Sequence, residues 1–350
     1  MRAVTVVPNQ AGSTKVSEVA EPEESEGTVL VETLAVGICG TDVEIVGGGY
    51  GWAPPGEERL VLGHESIGRV AEAPRSSGLA EGDLVVGIVR RPDPVPCYSC
   101  AVNEWDECRN GRYSEHGIKE LDGFMRERYR TNPDALVKVD PALGELGVLL
   151  EPTTIVAKAW EQADRIGHRV TWEPRTAVVL GAGPIGLLAA LLGMQRGLEV
   201  HVFDQVTSGA KPDLVRGLGA EYHTGRIADD CPAPDVIIEC TGVPALVFDA
   251  IEHIGSGGVV CLTGVSPVGR ELSIDAGLVN RSMVLGNEGV VGSVNANRRH
   301  YEQAAEALAR ADASWLTKLI TRKVPMEQFA SALERQSDDV KVVIEITGGE

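Results

Sequence analysis

The chain has 350 residues, 43% hydrophobic and 24% charged, a balance that fits a soluble globular protein and excludes a disordered one. Its length exceeds one ordinary core, so two domains are expected. A formal net charge of −19 argues against nucleic acid or an anionic membrane as partner.

The opening stretch, MRAVTVVPNQ, lacks the long apolar core of a signal peptide, and a cytoplasmic location is expected. Short β-like runs broken by glycine follow: AVTVV, TVLVETLAVG, LVLG, SIGRVAEA and DLVVGIV. Their spacing predicts a small, irregular β-rich unit whose loops carry function. Two of those loops hold metal-binding residue types. GICGTD places Cys39 between glycines beside Thr41 and Asp42, and LVLGHESIG places His64 and Glu65 at a strand end. His64 and Glu65 read either as a solvated turn or, since a buried charge needs a partner, as a ligand pair. A third acid, Glu151, lies in LLEPTT; thiol, imidazole and carboxylates are donors suited to Zn²⁺. The seven cysteines form an odd set in a chain without an export signal, which favours reduced thiols or ligands over a disulfide framework.

From about Thr176 the texture changes. AVVLGAGPIGLLAALLGM, residues 177–194, carries no charge, but its glycines and Pro184 fit strand, turn and buried helix better than a membrane span. LEVHVFD, DVIIECTG, GGVVCLTG and EGVVGSVN read as further strands with helical stretches among them, implying a parallel, doubly wound sheet. An amphipathic segment, NRRHYEQAAEALARADASWL, follows, and VKVVIEI is a β run that returns to the first domain. The boundaries expected are 1–174 with 296–350 for the first domain and 175–295 for the second.

Gly181, Gly183 and Gly186 form a G-x-G-x-x-G between a strand and the helix that Pro184 and Ile185 open. In that context the pattern predicts a dinucleotide site: a tight turn, close approach to pyrophosphate, and a helix packed against the sheet. Asp204 ends the next strand, where a carboxylate accepts from the adenosine ribose hydroxyls. With Gln205 and Val206 following and no arginine adjacent, NAD is expected in preference to NADP.

GICGTD, GHESIG and GAGPIG occur in the order and at the separations of the zinc-dependent medium-chain alcohol dehydrogenases, which the chain resembles over nearly its whole length. GTDVEIVGG, IVRRP, GIKELDGFMRE, LLEP and VVGSVN make it most similar to the archaeal-type glucose 1-dehydrogenases. The resemblance implies an α/β chain, with a GroES-like β-rich catalytic domain and a Rossmann domain. It also implies that Cys39 and His64 bind catalytic zinc and that Glu65 and Glu151 ligate directly or through water. Thr41 would start a proton relay, and Glu115 and Asn295 would hold sugar hydroxyls, Asn295 beside the cofactor as well. A sugar or polyol is then the small-molecule substrate, glucose leading, with hydride passing to NAD and a lactone as product. Another cyclic polyol, amino-sugar or secondary-alcohol dehydrogenase is the nearest alternative; a catalytically silent NAD-binding sensor is a more distant one. A homodimer or homotetramer is implied too.

Two departures from the family pattern stand out. Cys97, Cys100 and Cys108 occupy three places of a four-cysteine structural zinc lobe, but Pro94 stands at the first, where neighbouring Asp93 is the available substitute. In the substrate pocket, Ile155 and Gly286 occupy places where some of these enzymes carry aspartate and histidine. Cys231, Cys240 and Cys261 lie in or beside apolar strands and read as inert core.

Overall fold

Contacts in the computed structural model, which describes residues 1–269, 271–334 and 336–346, divide the chain into two units. One is Met1–Glu151 with the segment from Ala296 onward; the other is Pro152–Asn295. Residues 152–174, expected with the first unit, lie with the second. The physical reason is the helix Leu150–Gly167. Its buried Trp160 donates from Nε1 to the Ala189 carbonyl at 3.1 Å, and Arg169 beyond it donates to Gly258 O at 3.1 Å.

The first unit is built on a seven-stranded sheet in which Val29–Gly37 is the hub. It pairs antiparallel with Glu65–Glu72 on one side and with Lys341–Glu345 on the other, and Arg128–Thr131 joins its early residues. The closing β run thus returns to the first unit. Val4, Val31, Val36, Ile45, Leu60, Phe124 and Ile344, each fully buried, share its core. Burying such side chains is worth roughly 1.5–3 kcal/mol each, which is what holds the loops after Gly37 and before Glu65 in place.

The second unit is a six-stranded, wholly parallel sheet. In spatial order its strands are Glu221–His223, Glu199–Phe203, Thr176–Leu180, Val236–Glu239, Val259–Leu262 and Gly289–Gly292. The reversal of strand order beside Thr176–Leu180 is the switch point at which doubly wound sheets bind ligands. The helix Pro184–Gln195 that leaves it is buried from Gly186 to Gly193, so most of the apolar 177–194 run is interior. Among the described residues no helix is long and apolar enough to cross a membrane.

Candidate active site

Gly37 and Glu65 are register partners in the central antiparallel pair. That register sets Cys39, two residues past one strand end, beside His64, one residue before the other. Ligand atoms of Cys39, His64 and Glu65 all lie within 4.8 Å of one another, with His64 and Glu65 buried. A solvated turn is therefore ruled out for both. A thiol, an imidazole and a carboxylate at this spacing fit one zinc ion. Glu151 is outside that close group but buried within its electrostatic reach. Burial pushes its carboxyl up to about 7, with Glu65 adding to the rise and His64 opposing it.

Three neighbours complete the arrangement. Asp42 caps the helix Gly40–Val46 by accepting the Cys39 N–H at 2.9 Å on Oδ2, while its Oδ1 faces His64 Nδ1 at 3.5 Å. This leaves Nε2 as the ring's remaining donor to a metal, the carboxylate–histidine arrangement that orients metal-binding imidazoles. Burial disfavours charge on His64, but Asp42 and Cys39 outweigh it and push its pKa well up. Lys341, from the third strand, donates to Glu65 Oε2 at 2.5 Å and to the Ile38 carbonyl at 3.0 Å; both charged side chains are 2% exposed. Thr41 Oγ1 lies 3.9 Å from Cys39 Sγ. A Cβ on Gly37 would stand 2.2 Å from Glu65 Oε2, so a larger residue there would push this carboxylate from its place beside Lys341.

Asp42 and Lys341 were not assigned roles by sequence. Asp42 had a local signal, since a carboxylate three residues past Cys39 fits a helix cap. Lys341 had none, being 276 positions from Glu65.

Glu115 is buried on the strand Ser114–His116 and already paired: Arg90 Nε and Nη2 lie 3.0 and 2.9 Å from its Oε1. Arg90 is itself held over the Tyr113 ring and by the Asp106 carbonyl. Buried Tyr301, which accepts the Val89 N–H, has its pKa pushed well up by burial, and then by the charges of Glu151 and Glu115. One buried hydroxyl thus feels both carboxylates. Asn295 closes the second unit with φ 62, a left-handed backbone that asparagine tolerates better than most residues. Ile155 lies on the helix Leu150–Gly167, and Gly286 ends the helix Ala276–Gly286 against the Glu288 side chain.

In the second unit the glycine motif behaves as its spacing requires. Gly181 has φ 97; Gly183 faces open space; a Cβ on Gly186 would stand 1.7 Å from the Gly181 carbonyl. Pro184 and Ile185 form the helix's first turn. Asp204 accepts from the amides of Ala182 at 2.8 Å and Val206 at 3.1 Å, and Gln205 beside it is exposed. Lys211, seven residues on and in the helix Ala210–Gly217, adds a 3.1 Å ion pair to Asp204 Oδ2. Burial works to raise the Asp204 carboxyl, but the two amides and then Lys211 hold it below the usual range. The carboxylate expected to repel a 2′-phosphate thus has a cation beside it, a lysine that sequence reasoning passed over.

Cys97, Cys100 and Cys108 converge within 4.8 Å. The Arg109 N–H donates to Cys97 Sγ at 3.3 Å and, with the Cys100 amide, pulls that thiol down to about 6. Asp93 is buried nearby but is not in the thiol group; its carboxylate accepts from the Val95 N–H at 2.9 Å and from Asn110 Nδ2. Burial pushes Cys231 to about 11 and Cys240 and Cys261 to about 12, so these three are inert thiols.

Comparison with known proteins agrees with this geometry. Residues 25–141 match the family model for the alcohol dehydrogenase GroES-like domain, and 144–346 that for the glucose dehydrogenase C-terminus. The chain is 39% identical to a glucose 1-dehydrogenase of Methanocella arvoryzae and 40% to one of Thermoproteus tenax, each alignment covering 99% of both chains. A solved Haloferax mediterranei glucose dehydrogenase, in complex with NADP, Zn and gluconolactone, superposes over 100% of both chains with a TM-score of 0.91 at 33% identity. The chain belongs to the glucose 1-dehydrogenase family of the zinc-dependent medium-chain alcohol dehydrogenases.

Proposed function

We propose that this protein oxidises an aldose, glucose first, to its lactone with NAD or NADP. The observation that carries this reading is the convergence of Cys39, His64 and Glu65 on one point, backed by Asp42 and Lys341, in a chain aligned end to end with glucose 1-dehydrogenases. A silent sensor has no need of such a donor set.

Cys39 and His64 would hold the zinc, with Glu65 and Glu151 as direct or water-mediated ligands. Bound there, zinc supplies a Lewis acid that acidifies a hydroxyl, and the nicotinamide accepts the hydride. Thr41 takes the hydroxyl proton toward solvent. Asp42 fixes the His64 tautomer, and Lys341 balances Glu65 when that carboxylate is not ligating. Glu115, preset by Arg90, and Asn295 accept sugar hydroxyls; a substrate lacking them leaves buried polar groups unpaired, at about 1–3 kcal/mol for each neutral group. With Ile155 and Gly286 in place of polar residues, epimers are sorted less tightly than in a fuller site. Asp204 takes the NAD ribose hydroxyls, and Lys211 turns to a 2′-phosphate when NADP binds. We further propose a cytoplasmic homodimer or homotetramer, which light scattering tests.

The test of function is a screen of sugars, polyols and secondary alcohols with each cofactor, following reduced nicotinamide absorbance. Aldopyranoses should lead, glucose among the best. If a simple secondary alcohol leads and glucose is not turned over, the sugar reading falls.

A further inference from the structure

A second cluster of metal-binding side chains lies on the edge of the parallel sheet, apart from the glycine turn and from the zinc residues. The edge strand Glu221–His223 pairs in parallel with Glu199–Phe203, in the register His201 with Glu221 and Phe203 with His223. Side chains two apart on a strand share a face, so Glu199, His201, Glu221 and His223 stand together. His201 Nδ1 and His223 Nε2 are 2.9 Å apart, and Glu221 Oε2 lies 3.6 Å from the first and 3.7 Å from the second. The point equidistant from these three atoms lies about 2.0 Å from each, the bond length of Zn²⁺ to imidazole nitrogen and carboxylate oxygen.

The outer ring nitrogens face carboxylates as well. His201 Nε2 is 3.4 Å from Glu199 Oε1, and His223 Nδ1 is 3.8 Å from Asp230 Oδ2. Without a metal, two neutral rings must share one proton between the inner nitrogens. The ring that donates it then turns a bare lone pair toward a carboxylate. With a cation at the centre, both inner nitrogens offer lone pairs and both outer N–H groups point at carboxylates, the outer-shell pattern of metal-binding histidines. We propose that His201, His223 and Glu221 form a binding site for a divalent d-block cation such as Zn²⁺, which ties the edge strand to its neighbour. Glu221 is 62% exposed, so the remaining coordination positions are open to water.

The ring of His223 is stacked on Phe203, 4.7 Å between centroids, which restricts its rotation. Burial and then His201 lower its pKa, favouring the neutral form that binds metal. The site is independent of the sugar dehydrogenase reading, and none of its side chains belongs to the proposed catalytic or cofactor groups.

The test is a calorimetric titration of the purified enzyme, its tightly held zinc in place, with Zn²⁺ and separately with Co²⁺ near neutral pH. The wild type should take up one more equivalent than Glu221→Gln and His223→Gln, and added Zn²⁺ should raise its thermal midpoint but not theirs. Glu221→Gln changes an exposed side chain and so guards against a folding defect in the histidine variant. Glucose oxidation should be unchanged in both. Equal uptake by the wild type and both variants, or no uptake beyond the resident zinc, would overturn the proposal.

Discussion

Lys341 Nζ sits 2.5 Å from Glu65 Oε2 with both side chains sealed from water, although 276 residues separate them. Removing one member of such a pair leaves the other charge buried, at a cost of about 3–5 kcal/mol. Lys341→Met should therefore lower the urea midpoint of the first unit. The double variant Lys341→Met with Glu65→Gln should be less destabilised than the sum of the two singles. Strict additivity would mean that the pair carries no coupling.

Asp42 touches the candidate zinc residues twice, through the Cys39 amide and the His64 ring. Asp42→Asn keeps its shape but loses the charge that orients the imidazole. Zinc affinity, read by competition with a chelator, should fall about 10–100-fold, while NAD binding stays near wild type. Unchanged zinc retention would show that Asp42 is only a helix cap.

These two residues mark the limit of what the sequence discloses. Cys39, His64 and Glu65 are legible because each lies in a short motif whose order and spacing are informative. The strand–turn–helix around Gly181 is legible because steric demand restricts Gly181 and Gly186 to glycine, while Gly183 leaves open space. Lys341, Arg90 and Lys211 are invisible at that level: each is an ordinary cation whose meaning comes from register or from a helix turning back. The early domain boundary has a similar origin, since nothing local tells that Trp160 will pack under the helix Pro184–Gln195.

Lys211 decides the cofactor prediction. It pairs with Asp204 at 3.1 Å, so the carboxylate expected to repel a 2′-phosphate has a cation beside it. Lys211→Ala should reduce kcat/KM with NADP by about tenfold or more, equivalent to about 1.4 kcal/mol, and affect NAD much less. Asp204→Ala should do the reverse, weakening NAD by loss of its ribose contacts. Equal losses with both cofactors in the lysine variant would mean that Lys211 only braces the turn.

Glu115→Gln tests the sugar contact more cleanly than alanine would, because the amide retains an acceptor for Arg90. Catalytic efficiency with glucose should drop about ten- to a hundred-fold while a small secondary alcohol used as probe is little changed. A parallel loss on both substrates, with a lowered thermal midpoint, would assign Glu115 to holding Arg90.

The thiol lobe gives the last prediction. Cys97, Cys100 and Cys108 offer three sulfurs within 4.8 Å, and tetrahedral zinc needs a fourth donor. Asp93 is the buried carboxylate at hand, yet the Val95 amide and the Asn110 side chain already hold it. For Asp93 to ligate, the Asn110 contact must break, and Asn110 also sits 3.0 Å from Cys108 Sγ. Exchange of that one amide for a cation would satisfy the carboxylate and all three sulfurs at once, so a loaded lobe is the expected state. Metal analysis should find two zinc per chain, falling to one in Asp93→Ala and in Cys100→Ser. Asn110→Ala should keep both, because it removes the competitor and not a ligand. One zinc per chain in the wild type, with the three thiols open to alkylation, would show that the carboxylate stays with Asn110 and the lobe folds without metal.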